Sequence, residues 1–219
     1  MHYSALHWLV LNIYEDEVKG KKILEVGSRN VNDSIRPFIM KYAPNNYVGI
    51  DYVSGDGVDL ITDARLLVEK FGENIFDIVI STEMLEHAED WRSVINGMKR
   101  VLKPNGLLII TTRSPGFGYH AYPYDYWRYT LEDFNEIFSD LEILVLERDD
   151  KTNPGVLMKA RKPLTFSPKN LDNVFLYSVI NCRRELLVPK MSFKRKVQLQ
   201  FINKSFSLKT SVWEKIKQL

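Results

Sequence analysis

A single cysteine, Cys182, is all the thiol this chain carries. One thiol excludes an internal disulfide framework and any multi-cysteine zinc site, and it fits a reducing, cytoplasmic setting. Long apolar runs are missing too. Nothing approaches the ~18 uninterrupted apolar residues of a membrane span, and the first eleven residues lack the basic region and small-residue cleavage site of a signal peptide. Glycine is scarce where a dinucleotide would need it: after Gly27, the later glycine positions of Gly-x-Gly-x-x-Gly hold Arg29 and Asn32. A pyrophosphate therefore has no bare helix N-terminus to rest on. Only four histidines occur, and no zinc-ligand spacing joins them, so no metal is expected.

What is present suits one substantial domain with an appendage: 219 residues, 45% hydrophobic and 26% charged. The net charge of +2 hides an asymmetry, because residues 163–219 hold 11 Lys/Arg against 3 Asp/Glu while the rest of the chain is acidic. A basic tail is compatible with a nucleic acid or an anionic membrane surface, or with packing on the acidic domain. The division read here is therefore 1–162 as the main domain and 163–219 as a basic, mainly helical extension. In that extension Phe175, Val179, Cys182 and Leu186 could line one helix, Phe193, Val197 and Phe201 a second, and Leu208, Val212, Ile216 and Leu219 a third.

Between residues 20 and 112 strand and helix patterns alternate. Short apolar runs at Ile23–Val26, Tyr47–Asp51, Val58–Thr62, Phe76–Ile80 and Leu107–Thr111 read as strands. Trp91, Val94, Ile95, Met98, Val101 and Leu102 fall at helical spacing, and Lys103-Pro104-Asn105-Gly106 carries stop chemistry. Thr130 reads as an N-cap, and two last runs, Leu141–Glu147 and Val156–Ala160, read as a hairpin. Met1–Leu11 reads as a short amphipathic helix closing one face. Such alternation predicts a mainly parallel sheet covered on both faces.

In an open parallel sheet, ligands collect beyond the carboxyl ends of the strands. Four strand ends here carry polar groups: Glu25, Gly27 and Ser28; Asp51 with Tyr52; Asp63 with Ala64; and Ser81 with Glu83. Asp51 can accept both hydrogens of a ribose diol, and Gly27 lets backbone approach a ligand. A cofactor that carries an ammonium and a sulfonium instead of phosphates suits this acidic rim.

On these residues the chain resembles the class I S-adenosylmethionine-dependent methyltransferases, of the small-molecule type. Glu25-Val26-Gly27 looks like the family's first motif, Asp51 like its ribose-binding acid, and Asp63-Ala64 like the pair beside the adenine. Phe76 to His87 is similar to the fourth-strand signature, and Leu102-Lys103-Pro104-Asn105-Gly106-Leu107 to the turn before the fifth strand. The resemblance covers about residues 20–162, departs at Arg29 and Val31, and implies S-adenosyl-L-methionine as cofactor. It also implies an α/β Rossmann-like sheet of seven strands in the order 3-2-1-4-5-7-6, with strand seven antiparallel.

Methyltransferases of this kind place acceptor-binding residues just past the fifth strand, here within Gly116–Tyr129. A hydroxyl acceptor benefits from a general base. His120 is the expected base and Asp125 its orienting partner, with His87, Tyr122, Tyr126 and Trp127 as acceptor-binding residues. The expected function is methyl transfer to a hydroxyl of a sugar or metabolite, in the cytoplasm or peripheral at a membrane. Two competing readings are an RNA methyltransferase that uses the basic tail, and a non-catalytic domain of this fold that docks on a partner or membrane.

Overall fold

The computed structural model describes residues 2–120, 124–192, 195 and 197–199. Helix α1 (Tyr3–Asn12) and the short α2 (Glu15–Val18) lead into β1 (Lys22–Val26), and α3 (Arg36–Met40) into β2 (Asn46–Asp51). Strand β3 (Leu60–Ile61), a 3-10 turn at Ala64–Leu66, α4 (Leu67–Phe71) and β4 (Phe76–Thr82) follow. Next come a 3-10 turn at Leu85–His87, α5 (Trp91–Val101), β5 (Leu102–Arg113) and β6 (Trp127–Arg128). The chain continues through α6 (Leu131–Ile137), β7 (Glu142–Arg148), β8 (Gly155–Arg161), β9 (Leu176–Ser178) and β10 (Arg183–Glu185).

Seven strands form one sheet in the order β3-β2-β1-β4-β5-β8-β7. Counting only that sheet's strands, this is the 3-2-1-4-5-7-6 order that the resemblance implies. Strand β8 runs antiparallel to both neighbours, while β1 to β5 are mutually parallel. Both faces are covered, so β1 is buried along almost its whole length instead of alternating. One core contains Leu24, Val26, Val79, Ile110 and the inner face of α5, and the other contains Ile23, Ile78, Ile80 and Trp8 and Leu9 of α1. Helix α5 shows why sequence period suffices where a helix is amphipathic. Trp91, Val94, Ile95, Met98 and Val101 are all buried, and residues the size of Ile95 or Met98 contribute about 1.5–3 kcal/mol each when fully buried.

Helix α6 begins as its sequence suggests: the Thr130 hydroxyl accepts the Asp133 N–H at 3.2 Å, and the Asp133 carboxylate accepts the Thr130 N–H at 2.8 Å. The C-terminal region differs from expectation. The spacing of Phe175, Val179, Cys182 and Leu186 predicts a helix, but this stretch supplies β9 and β10, joined by a turn in which Cys182 takes φ +55°. Together with β6 they form a second sheet in the order β10-β9-β6. Apolar residues four apart also arise when a turn separates two short strands, and here the tertiary partner decides. Leu171, Val174 and Leu176 join the main core, and Arg92 donates to the Leu171 and Val174 carbonyls at 2.8 and 2.6 Å. Residues 163–185 thus pack into the domain. The third expected helix and most of the second lie outside the described residues. Among the described residues, no helix is long and apolar enough to cross a membrane.

Candidate active site

At the carboxyl edge of β1 the chain turns sharply. Gly27 takes φ +80°, and its N–H and that of Ser28 both donate to the Ile50 carbonyl at 2.9 Å. A Cβ on Gly27 would stand 2.5 Å from Met84 Cγ, so glycine alone fits. The loop that lacks glycine at 29 and 31 finds it across the gap. A Cβ on Gly57 would meet the Ser28 carbonyl oxygen at 2.6 Å, and one on Gly49 would meet Ser28 Oγ at 2.7 Å. The close backbone approach thus comes from the segment after β2, and the Asn30 N–H donates to the Asp56 carbonyl at 2.8 Å. Ser28 itself is turned to Gly49 and its buried hydroxyl has no hydrogen-bond partner among the described residues.

Asp51 ends β2 half-buried, one carboxylate oxygen accepting the Val53 N–H at 3.1 Å, and Tyr52 beside it is 59% exposed. Asp63 caps the 3-10 turn that Ala64 opens: it accepts the Arg65 N–H at 2.8 Å and pairs with the Arg65 guanidinium at 2.5 Å. That guanidinium holds the Asp63 carboxyl below the usual carboxylate range. Ser81 is fully buried in β4, its hydroxyl without a hydrogen-bond partner among the described residues. Glu25, placed at this rim by its sequence position, is 2% exposed and accepts the Tyr47 hydroxyl at 2.7 Å inside the sheet. Burial pushes its carboxyl up to about 7, against the lowering effect of the Tyr47 hydrogen bond and of Arg36.

A second group of polar residues lies beyond β4 and β5. Glu83 takes φ +53°, accepts the Thr111 hydroxyl at 3.1 Å and pairs with Arg113. Burial, reinforced by Glu86, pushes the Glu83 carboxyl up to about 7. Glu86 is fully buried; Oε2 accepts the Thr112 hydroxyl at 2.8 Å, and Oε1 stands 3.8 Å from His120 Nε2 and 4.0 Å from His87 Nε2. The rings of His87 and His120 meet edge to face, 4.9 Å between centroids. His120 is braced by Asp125, whose carboxylate accepts its backbone N–H at 2.9 Å and lies 3.2 Å from Nδ1.

Asp125 is 1% exposed and held bidentately by Arg128 at 2.5 and 2.7 Å. Although burial opposes its charge, Arg128 and His120 keep its carboxyl below the ordinary range. Burial likewise opposes charge on His120, yet the Asp125 and Glu86 carboxylates push that imidazole up to about 9. The ring read as a neutral general base is therefore, by itself, an imidazolium at neutral pH. It must lose its Nε2 proton before it can accept another.

The structure brings His87, His120, Asp125 and Tyr126 together, since the Tyr126 N–H donates to the Glu86 carbonyl at 2.9 Å and His87 Nδ1 faces the Tyr124 carbonyl. Tyr126 is half-buried and stacks on Tyr124 at 5.8 Å. Trp127 is a correction. Expected in a pocket wall, it is 0% exposed, sits in the main core and donates from Nε1 to the Ala88 carbonyl at 3.1 Å. Strand β6 turns that ring inward, where its area is worth more than at a rim. Tyr122 lies outside the described residues.

Sequence reasoning passed over Glu86 and Arg113. Glu86 lies inside the quoted fourth-strand signature, but nothing in the spacing marks it as buried. Arg113, fully buried at the end of β5, pairs with Glu83 and, at 3.0 Å, with Asp149, while its guanidinium lies 4.6 Å from the Phe117 ring centre. The only available signal was a cation at a strand's carboxyl end.

Residues 39–110 match the family described as "Methyltransferase domain". The chain is 25% identical over 170 residues to the demethylmenaquinone methyltransferase of Bacillus velezensis, covering 74% of this chain and 63% of that protein. It is 33% identical over 110 residues to the ubiquinone biosynthesis O-methyltransferase of Actinobacillus pleuropneumoniae, covering 42% and 46% respectively. The chain therefore spans less than two thirds of the length of these curated relatives. Among solved structures, the 1,6-didemethyltoxoflavin-N1-methyltransferase of Burkholderia thailandensis, with 1,6-didemethyltoxoflavin and S-adenosylhomocysteine bound, superposes with TM-score 0.59 at 16% identity. That match covers 73% of this chain and 78% of that one.

Proposed function

We propose that the chain, which has the fold of the class I S-adenosylmethionine-dependent methyltransferases, transfers a methyl group from S-adenosylmethionine to a small-molecule acceptor, at a hydroxyl of a sugar or metabolite. The observation that carries the reading is the polar rim at the carboxyl ends of β1, β2 and β4. There the Gly27 backbone, the Asp51 carboxylate and the acidic Glu83–Glu86 turn face one edge, bridged by Met84 over Gly27. This rim fits the cofactor in kind. It has a glycine turn that a Cβ would fill, a carboxylate with an oxygen to spare for a diol, and excess negative charge for a cationic ligand.

In this reading Asp51 holds the ribose, with Tyr52 beside it, and Asp63-Ala64 flank the base. Gly27, Ser28 and Ser81 shape the floor, Glu83 faces the cationic end, and Glu25 acts from beneath. When bound, the cofactor supplies a methyl group on a sulfonium, and displacement at that carbon needs an in-line nucleophile. The chain's own contribution is to orient the acceptor, and proximity and alignment account for several kcal/mol of the barrier. His120 and Asp125 do this from the segment that joins β5 to β6, here called the strap, with His87 and Tyr126 alongside. The hydroxyl as acceptor is supported by the convergence of imidazole and carboxylate groups, which can take up the proton of an O–H nucleophile once His120 Nε2 has released its own.

Isothermal titration calorimetry with S-adenosylmethionine and S-adenosylhomocysteine is the test. Both should bind, and Asp51→Ala should weaken binding by roughly ten- to a hundredfold, the loss of charged hydrogen bonds worth about 1.5–3 kcal/mol. Absence of binding by the wild-type protein at millimolar ligand would overturn the proposal.

A further inference from the structure

We propose that Glu86, His87 and His120 form a binding site for one divalent metal ion of the Zn²⁺, Fe²⁺ or Mn²⁺ class, placed beside the acceptor region. One donor atom from each residue lies within 4.8 Å of the other two. Glu86 Oε1 lies 3.8 Å from His120 Nε2 and 4.0 Å from His87 Nε2. Ligands about 2.1 Å from a tetrahedral metal stand about 3.4 Å apart, so a shift of well under 1 Å in each side chain closes the geometry.

The groups behind the three donors make the case stronger than proximity does. A ligating histidine characteristically donates its other ring N–H to a carbonyl or carboxylate, which fixes the tautomer and aims the lone pair. Here His87 Nδ1 faces the Tyr124 carbonyl, which can only accept, so Nδ1 carries the proton and Nε2 is turned inward. His120 Nδ1 lies 3.2 Å from both the Gly118 carbonyl and the Asp125 carboxylate, and its Nε2 likewise points to Glu86. The Thr112 hydroxyl takes up Glu86 Oε2 and leaves Oε1 to the centre of the group. That oxygen is on a fully buried residue and faces His120 Nε2 at 3.8 Å and His87 Nε2 at 4.0 Å. A metal ion bound among the three would take the place of the His120 Nε2 proton in pairing with the buried carboxylate.

Donor chemistry selects the ion. Two imidazoles and one carboxylate suit borderline first-row metals and disfavour Ca²⁺ and Mg²⁺, which prefer all-oxygen shells. Three protein ligands leave coordination positions for water or for an acceptor oxygen, and a metal there lowers the pKa of a bound hydroxyl. That last role rests on the methyltransferase reading; the site does not. Spacing could not have disclosed it, because His120 is far along the chain from Glu86-His87 and only the strap's folding back on the β4 turn unites them.

The test is calorimetric titration of chelator-treated protein with Zn²⁺ and Mn²⁺, with Mg²⁺ as comparison. One equivalent of Zn²⁺ or Mn²⁺ should bind more tightly than Mg²⁺. Affinity should fall at least about tenfold in Glu86→Gln and His120→Asn, and about tenfold in Thr112→Val, which touches only the outer partner. His7→Ala, on the exposed face of α1, should bind like wild type. Absence of saturable binding up to about 1 mM, or binding indifferent to Glu86→Gln and His120→Asn, would overturn the proposal. If those variants fail to fold, X-ray absorption on the zinc-loaded wild-type protein decides: two imidazole ligands support the site and none refutes it. Because metal titration needs no S-adenosylmethionine, failure here with cofactor binding intact leaves the proposed function standing.

Discussion

Replacing Glu25 by Gln should make the protein less sensitive to pH, in a direction opposite to the usual carboxylate. Most acids in folded proteins are stabilised as anions, so stability falls in acid. Glu25 is 2% exposed, and desolvation outweighs the help it receives from the Tyr47 hydroxyl and from Arg36, moving its carboxyl from 4.5 to about 7. Between those values the unfolded chain has released the proton while the folded chain retains it. The folded state therefore binds more protons, and stability declines as pH rises through the window. At about 1.36 kcal/mol per pKa unit, the decline due to this one group is about 3 kcal/mol between pH 4.5 and pH 7. Gln keeps the shape and an oxygen that accepts the Tyr47 hydroxyl, but has no proton to lose. Urea unfolding of both proteins at half-unit steps from pH 4.5 to 8 should show the stability of the variant relative to wild type growing by about 3 kcal/mol, almost all of it below pH 7.5. A difference that stays constant across the series would refute the reasoning, since it would place the Glu25 carboxyl in ordinary solvation.

Three further outcomes follow from local geometry. Gly27→Ala should lower the thermal midpoint and cost about 1–3 kcal/mol, since φ +80° and Met84 Cγ at 2.5 Å both oppose a Cβ; adding Met84→Ala should recover part of the loss, the part due to the clash. Trp127→Ala should destabilise by about 3–5 kcal/mol in urea unfolding, as for a large core residue, where a pocket-wall residue would change only acceptor affinity. Thr130→Ala should cost about 1 kcal/mol by calorimetry through loss of the N-cap of α6.

The main sheet was legible because its strands are apolar runs bounded by turn chemistry, and α5 because its buried residues keep helical period. The second sheet was not legible. Its strands are two or three residues long, too short to show a period, and β6 finds β9 only across α6, β7 and β8. In the candidate site, Gly27, Asp51 and Asp63 sit at strand ends as position alone indicates. What position could not disclose was direction: Glu25 turns into the sheet toward Tyr47, Ser28 toward Gly49 and Trp127 into the core. Tertiary contact likewise decides the character of His120, since the Asp125 and Glu86 carboxylates must close on it before its charge is set.

Arg113 has a consequence for redesign. One guanidinium holds the turn after β4 through Glu83, the β7–β8 connection through Asp149, and the strap through the Phe117 ring. The strap is therefore not an interchangeable cassette. A graft from a relative chosen to alter the acceptor would leave a buried cation facing a foreign surface unless the aromatic ring at 117 travelled with it. Specificity and stability in this enzyme fold are thus linked through one side chain that need touch neither cofactor nor acceptor.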